Sequence, residues 1–222
     1  MIDFLLAQLA FRTRAATLVV STTGSATLGA TAAGYTRAAG SFVTDGFLVG
    51  MEVVPTGFTQ TAPGVVSAVT ATLLTIDGGR TVQTAGAARS LTVGLPSLHA
   101  WENDSPLTRY VTRPFLEEDF VPGGSSNTTW PARIGLFDQD GLAIYKWYGV
   151  QNVGVDAISA SVTALMRLFT PGTYLALADG SSIQVRGDVA VKRSQIMNTG
   201  DGWAVCIVTI PWRTTTRNVV AA

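Results

Sequence analysis

The chain has 222 residues, enough for one large domain or two small ones, and it carries 15 basic and 15 acidic residues. This balance excludes the basic surface that sequence-independent nucleic-acid binding requires. With one cysteine, Cys206, and one histidine, the chain has neither an intrachain disulfide framework nor the residues for a cysteine–histidine metal cluster.

The chain is apolar for a protein without a membrane span. Its mean hydropathy is +0.31 and only 14% of its residues are charged. No apolar run reaches the roughly 18 residues of a membrane helix. Surplus apolar surface that the chain does not cover itself is usually covered by a neighbouring copy, so these values favour an oligomer.

The segment from Asp3 to Arg14 is predicted to be a helix, with Asp3 as its cap or dipole partner. Asp3 stands where a secretory signal would have positive charge, and Arg12 and Arg14 follow the apolar stretch, so we expect a cytosolic helix. Such a short helix needs a sheet to lie on. Its apolar residues fall near helical spacing: Leu5, Leu6, Leu9 and Phe11.

Residues 17–93 are predicted to be β structure. Turn signals such as Asp45-Gly46 and Asp77-Gly78-Gly79 separate short apolar runs, a pattern typical of a small sandwich or barrel. The charges in this region stand singly and are predicted to be solvated. After an initial run at 18–20 and a Gly/Thr/Ser-rich stretch to Gly40, the expected strands are 51–54, 64–69, 72–76 and 90–93.

From residue 98 the pattern becomes α+β. The runs 132–137 and 141–150 are predicted to form a hairpin through a turn at Asp138–Gly141. A helical stripe follows, stopped by Thr170-Pro171-Gly172. A second hairpin is predicted over 173–187 with its turn at Asp179-Gly180, and then a strand over 202–212. The stripe consists of Val155, Ile158, Val162, Leu165, Met166 and Phe169.

The composition changes along the chain, because all five tryptophans and both lysines follow residue 98. We therefore expect two units. Residues 1–14 plus 96–222 form an α+β domain, an antiparallel or mixed sheet with two helices packed on it. Residues 15–95 form an inserted all-β domain, either immunoglobulin-like or a small barrel, since insertions are tolerated where chain ends lie close on a surface.

No residue pattern predicts catalysis. His99 has only sequence neighbours, Ser97, Asp104 and Ser105, as triad partners, and no nucleophile elbow occurs, so a role at the domain boundary or an interface is expected. Glu117, Glu118 and Asp119 could hold a divalent ion or act on a glycoside. Their alternation with apolar residues favours a solvated strand edge or a complementary interface instead.

The remaining chemical candidates also favour structural roles. The fragment Asp138–Gly141 lacks the other ligands of a calcium loop. Cys206 is expected to be buried. Trp130 and the pair Trp147-Tyr148 could stack on a base or sugar, although core packing or a subunit interface is favoured. We therefore expect no enzyme activity, no cofactor and no metal.

Three stretches in the second part resemble one protein family. AWENDSPLTRYVTRPFLEEDFVPGG (100–124) resembles the opening strands of tail terminator proteins of long-tailed bacteriophages. IYKWYGVQNVGVDAISASVTALMRLFTPGTYL (144–175) is similar to that family's strand, helix and F-x-P-G-T motif, and WAVCIVTIPWRTTTRN (203–218) to its closing strand. The helix 3–14 matches the first helix of the family. Residues 41–95 resemble a small β module of phage tail proteins, which the usual terminator plan lacks.

The resemblance implies a tail terminator-like fold and a structural role in the virion, at the tail and neck, after assembly in the host cytoplasm. It implies a homohexameric ring that caps the tail tube, ends its polymerisation and joins it to the head-completion, or stopper, protein. DNA would pass through the lumen without sequence-specific binding. No membrane partner is expected. Major tail tube protein, head-completion protein and further copies of the chain itself are the implied partners.

Charged residues on loops and edges are the interface candidates, and charge reversal across Glu117–Asp119 is predicted to weaken assembly without disturbing the fold. An alternative makes the inserted domain an adhesion module that binds a glycan or a host surface. It is disfavoured because residues 15–95 contain no tryptophan. The interface candidates are Glu117, Glu118, Asp119, Arg133, Lys192, Arg193, Arg213 and Arg217.

Overall fold

The computed structural model describes residues 4–100, 113–127, 134–151, 155–186, 191–199 and 202–219. This part of the chain is mostly β structure, with two helices, α1 (Phe4–Ala15) and α2 (Val155–Leu168). The strands are β1 (Ser21–Thr22), β2 (Ala26–Thr31), β3 (Gly34–Arg37), β4 (Glu52–Thr56), β5 (Gly64–Val69), β6 (Leu73–Ile76), β7 (Gln83–Val93), β8 (Leu98–Ala100), β9 (Phe115–Asn127), β10 (Ile134–Val150), β11 (Tyr174–Ala176), β12 (Ser182–Val185), β13 (Lys192–Arg193), β14 (Met197–Asn198) and β15 (Trp203–Val219).

The first sheet is a closed barrel. Its strands follow the order β7-β2-β3-β6-β5-β4, and β4 then pairs with β7 through Val54–Thr92, Pro55–Leu91 and Thr56–Ser90. Closure removes the free edges that a small sheet would otherwise expose. The interior is filled by apolar side chains, among them Leu28, Tyr35, Phe42, Phe47, Val53, Leu74 and Leu91. Of the two predicted forms of this region, the barrel is the one found.

The four later strands of the barrel region are confirmed, whereas β2 and β3 were not predicted. They lie in the Gly/Thr/Ser-rich stretch, whose small residues carry a weak strand pattern. The run 18–20 is not a strand. The backbone N–H of Leu18 donates a hydrogen bond to the Ala15 carbonyl at the end of α1, and regular pairing with β7 begins only at Ser21.

The second sheet has eight strands in the order β11-β12-β15-β10-β9-β8, with β13 and β14 also paired to β15. It is mixed, because β8 runs parallel to β9 while the other pairs are antiparallel. Both helices pack on one face of the sheet. Phe11 of α1 lies 5.8 Å from Phe120 and 5.2 Å from Phe169, ring centroid to centroid. The expected α+β arrangement of two helices on a mixed sheet is therefore present.

The predicted hairpin turn at Asp138–Gly141 is wrong. These residues lie inside β10, which pairs with β15 without interruption from Ile134–Val219 to Val150–Trp203. Asp-Gly makes a turn only where its flanking strands pair with each other, and here both halves of β10 have longer partners in β15 and β9. The local irregularity is a bulge against β9 between Gln139 and Gly141.

The helix predicted over 155–169 and the hairpin predicted over 173–187 are confirmed. α2 buries Ile158, Val162 and Leu165 on the sheet, and Asp156 and Arg167 stand at the ends where they complement its dipole. β11 and β12 pair antiparallel around Gly180, whose φ of +83° suits a residue without a Cβ.

The barrel and the second sheet meet at α2. Ala157 of α2 packs into the barrel core, while Ile158 on the next position packs into the sheet core. Glu52 of the barrel is buried, and one of its carboxylate oxygens accepts a 2.8 Å hydrogen bond from the backbone N–H of Ser97. Barrel strands lie before residue 94 and sheet strands after residue 97, but the folding units 1–14 plus 96–222 and 15–95 stay a prediction.

Candidate interaction surface

The first half of helix α1 carries apolar residues on its outer side as well as its inner side. Ala7, Phe11 and Ala15 are buried against the sheet. Leu5 and Leu9 face outward, 71% and 55% exposed. A surface helix normally has polar residues opposite its buried stripe, and a helix apolar all round is normally covered on all sides. The outer side of α1 therefore resembles an uncovered contact surface.

A groove of about 440 Å³ runs between α1 and β11; we call it the α1 groove. Leu6, Leu9 and Ala10 form one wall, Tyr174 and the residues to Ala178 form the other, and Arg14 stands at its rim. Tyr174 is 67% exposed. β11 is the outer strand of the sheet and pairs only with β12 among the described residues. Within the described ranges, the outer edge of β11 is thus unpaired and lies beside an exposed apolar groove, an arrangement that suits the addition of a further strand.

The opposite end of the sheet is formed by β8, which pairs in parallel with β9 through Leu98–Phe115, His99–Leu116 and Ala100–Glu117. β8 is the last strand on this side within the described residues, as β11 is on the other side.

Glu117 and Asp119 lie on the sheet face away from the helices. Lys146 on β10 stands between them, with its Nζ 2.7 Å from Asp119 and 3.8 Å from Glu117. The Tyr148 hydroxyl donates a 3.1 Å hydrogen bond to Glu117. Two carboxylates against one lysine leave this surface acidic, and Val121 beside them is exposed. These two residues lie near the surface, as predicted, and their role as an interface stays a prediction.

Glu118 points to the opposite face, and the prediction of a solvated position for it is wrong. Its side chain is fully buried under α1, where Arg12 Nε donates to it at 2.8 Å. Because the side chains of successive strand residues point to opposite faces of the sheet, Glu118 points toward the helices while Glu117 and Asp119 point away from them. Charge reversal at Glu118 would place a cation against Arg12 in the core, so the prediction that charge reversal weakens assembly without disturbing the fold now applies to Glu117 and Asp119 alone.

Tyr145 completes the buried polar group with Glu118 and Arg12. Burial raises the pKa of the Tyr145 hydroxyl well above its ordinary value, and the nearby Glu118 carboxylate raises it further, while Arg12 opposes them. The folded protein therefore favours the neutral phenol.

Alkaline pH is therefore expected to destabilise the protein through Tyr145. In the unfolded chain a tyrosine ionises near pH 10, whereas the pKa of Tyr145 in the folded protein is higher. The neutral phenol therefore makes its full contribution to the free energy of unfolding below about pH 10, and this contribution is lost as the pH rises above that value. The loss approaches about 1.4 kcal/mol per pH unit for one such group. Urea unfolding from pH 8 to 11.5 should show a shallower decline for Tyr145→Phe than for the wild type.

Tyr35 in the barrel serves as the comparison for this experiment. Its pKa is also raised by burial, but the charge of Arg80 and the 2.7 Å hydrogen bond from Arg80 Nε to its hydroxyl lower it. We expect Tyr35→Phe to change the alkaline decline less than Tyr145→Phe. Equal declines for the wild type and Tyr145→Phe would contradict the assignment.

The other interface candidates are spread over the sheet. Lys192 and Arg193 are exposed on β13, and the Arg193 guanidinium lies 3.4 Å from the Ser159 hydroxyl of α2. Arg213 is exposed on β15 and donates to Gln184 at 3.2 Å. The backbone of Arg217 pairs with Leu136 between β15 and β10, but the structure does not describe the Arg217 side chain. Arg133 lies outside the described residues. The structure does not bring the described members together into one site.

The remaining candidates for chemistry occupy structural positions, as far as they lie within the described residues. His99 is exposed on β8, with Nδ1 3.2 Å from the Pro96 carbonyl oxygen. Cys206 is buried, as predicted, and burial raises the pKa of its thiol. Trp147 is buried in the sheet core. Asp3, Trp101, Asp104, Ser105 and Trp130 lie outside the described residues.

Sequence reasoning missed the α1 groove and the Arg12–Glu118 pair. One signal for the groove was present, because the apolar residues of α1 surround the helix instead of forming a stripe. The pair had none, since Arg12 and Glu118 are 106 positions apart.

Within the described ranges, no three His, Cys, Asp or Glu side chains come together as metal ligands. Neither described helix is long and apolar enough to span a membrane. No protein-family model and no curated protein matches the chain. One solved chain, whose name states no function, is 17% identical over 55% of this chain and 79% of its own length, with a TM-score of 0.40. A likeness that weak carries no argument about fold or function.

Proposed function

We propose that this protein is a structural component of a bacteriophage tail that works as a closed ring of identical copies, as the resemblance to tail terminators implies. The ring would cap the tail tube, end its polymerisation and join it to the head-completion protein while DNA passes through the lumen. On this proposal the protein is not an enzyme, and its work is done by surfaces.

One observation supports the ring most directly: β11, the outer strand on one side of the sheet within the described residues, adjoins exposed apolar residues of α1. Open edges and apolar patches on an isolated protomer favour association. Two unlike surfaces that fit each other generate head-to-tail contacts, and such contacts close into a ring when the rotation between copies divides the circle.

The adhesion alternative receives no support from the barrel. All four aromatic residues between positions 15 and 95 are buried: Tyr35, Phe42, Phe47 and Phe58. Stacking on a sugar requires an aromatic face at the surface. The barrel is better suited to a packing role, as a decoration of the ring or a contact to a neighbouring ring.

Solution mass and electron microscopy test the proposal. We expect purified protein to have the mass of a hexamer by native mass spectrometry and to appear as an annulus with a central hole and six-fold symmetry. Addition of the tail tube protein should yield tubes with a cap at one end. A protomer that stays monomeric at high concentration and leaves tube growth unchanged would exclude the proposal.

A further inference from the structure

We propose that the cavity where the barrel, the second sheet and α2 meet is a binding site for one water molecule, held between the side chains of Glu52 and Ser161. Glu52 is then a positioning residue, which together with the bound water fixes the barrel on the sheet. The site lies within one copy of the chain, so it is independent of whether the copies form a ring.

The cavity lies at the joint between the two sheets. A short connector, residues 94–97, leads from the end of β7 at Val93 to the start of β8 at Leu98. The cavity beside it has a volume of about 10 Å³. This is the space of one water molecule, since a volume of about 10–15 Å³ is the smallest that holds one. Every part of the joint contributes to the lining: Met51 and Glu52 from the barrel, Gly94 and Pro96 from the connector, Trp147 from the sheet and Ser161 from α2.

Glu52 brings a hydrogen-bond acceptor to this cavity. The residue is 6% exposed, and one carboxylate oxygen accepts the 2.8 Å hydrogen bond from the backbone N–H of Ser97 in the connector. The other oxygen, Oε2, is buried and has no hydrogen-bond partner among the residues that the structure describes. Native proteins bond nearly all such buried oxygens to protein groups or to ordered water. A water in the cavity would donate the hydrogen bond that Oε2 requires.

Ser161 offers a second partner for the same water. It is 3% exposed, and its hydroxyl can both donate and accept. A buried water needs at least about two polar partners, which Glu52 and Ser161 supply. A calcium ion would need about six to eight oxygen ligands, whereas these two are the only described side chains of the lining that carry oxygen. The lining therefore favours water over a metal ion.

These hydrogen bonds give the joint a directional component that its apolar contacts lack. Ala157 of α2 packs into the barrel core and Ile158 into the sheet core. Apolar contacts of this kind are non-directional, whereas hydrogen bonds require a defined length and angle. Glu52 bonds directly to the connector and, through the water, to α2. It therefore ties the barrel to both elements that join it to the sheet.

A crystal structure of the full chain tests the water site. We expect one density peak of the size of an oxygen atom, about 2.7–3.0 Å from both Glu52 Oε2 and Ser161 Oγ. The variant Ser161→Ala should lose this peak or show it at lower occupancy. A protein group bonded to Oε2, a cavity without a peak, or a peak with six or more oxygen neighbours near 2.4 Å, which marks calcium, would overturn the assignment.

Amide hydrogen exchange tests the positioning role of Glu52. In Glu52→Met, which keeps the length of the side chain and removes its oxygens, the Ser97 amide should exchange at least about tenfold faster. Glu52→Gln retains an oxygen for Ser97 and should stay close to the wild type. The matched control is Asp77→Asn, which changes an exposed acid of the same barrel and should leave the Ser97 amide as it is.

Two other amides report whether the barrel and the sheet remain folded in each variant. The Ile76 amide bonds to the Ala33 carbonyl at 3.0 Å in the barrel, and the Ser194 amide bonds to the Ile207 carbonyl at 2.8 Å in the sheet. Both should stay protected in Glu52→Met. A Ser97 amide as protected in Glu52→Met as in the wild type would overturn the positioning role. If Glu52→Met unfolds the barrel, Ser161→Ala decides, because a water peak that persists there at full occupancy overturns the proposal.

Discussion

Replacing Trp212 with alanine is expected to lower the free energy of unfolding by about 3–5 kcal/mol. Trp212 is a fully buried side chain at the centre of the second sheet. It stacks on Phe120 with ring centroids 5.2 Å apart and meets the edge of Phe4 from α1 at 6.1 Å. Its removal leaves a large cavity between α1 and the sheet, which the β strands cannot collapse to fill. Urea unfolding followed by far-ultraviolet circular dichroism measures the change without relying on tryptophan fluorescence.

Trp212→Phe is the matched control. It keeps a ring against Phe120, and it removes an indole N–H that is buried without a hydrogen-bond acceptor among the residues the structure describes. We therefore expect a loss of only about 1–2 kcal/mol. A second control, Met197→Ala on β14, removes an exposed side chain and should change stability little. Equal losses for Trp212→Ala and Met197→Ala would contradict the central role of Trp212.

Gly141 offers an independent check of the same packing. A Cβ added there would lie 2.5 Å from Cζ2 of Trp212 and 2.7 Å from the Val121 carbonyl oxygen. Gly141→Ala is thus expected to destabilise by about 1–3 kcal/mol through overpacking. In the Trp212→Phe background the smaller ring leaves more room, so the added loss should be smaller. Such non-additivity is the signature of two residues in contact.

Arg12→Ala is expected to lower the free energy of unfolding by about 2–4 kcal/mol. It leaves the fully buried carboxylate of Glu118 without its guanidinium partner. Loss of one member of a buried ion pair is destabilising because the other charge stays in a medium of low dielectric constant. The expected loss is smaller than for a fully buried pair because the Arg12 side chain is 25% exposed. Urea unfolding gives the magnitude, and amide hydrogen exchange should show faster opening of α1.

Lys192→Ala is the control for Arg12→Ala, since it removes an exposed cation from the same sheet and should change stability by less than about 0.5 kcal/mol. The double variant Arg12→Met/Glu118→Met replaces both charges by apolar side chains and should recover much of the loss. An Arg12→Ala variant as stable as Lys192→Ala would show that the pair does not hold α1 on the sheet.

The elements that have strong local signals were predicted correctly from the sequence. The helix over 155–169 has an apolar stripe along its whole length and a Pro-Gly stop, and the hairpin at Asp179-Gly180 has a turn that needs only its own residues. The strand at 64–69 is an apolar, β-branched run that begins at the turn residues Pro63-Gly64. In each case the side-chain period and the adjoining breaker residues lie within one short window, so no distant contact was needed to define them.

Tertiary structure decided the features on which the proposals depend. Asp138–Gly141 has the composition of a turn, yet β15 and β9 hold it as a continuous strand, since pairing along two neighbours outweighs a local turn preference. The acidic run 117–119 divides between two faces because strand residues alternate. Only the position of Arg12 on α1 makes the inward position of Glu118 tolerable. Charge, composition and local period are properties of short stretches, whereas the burial of the Glu118 carboxylate depends on Arg12, 106 positions away.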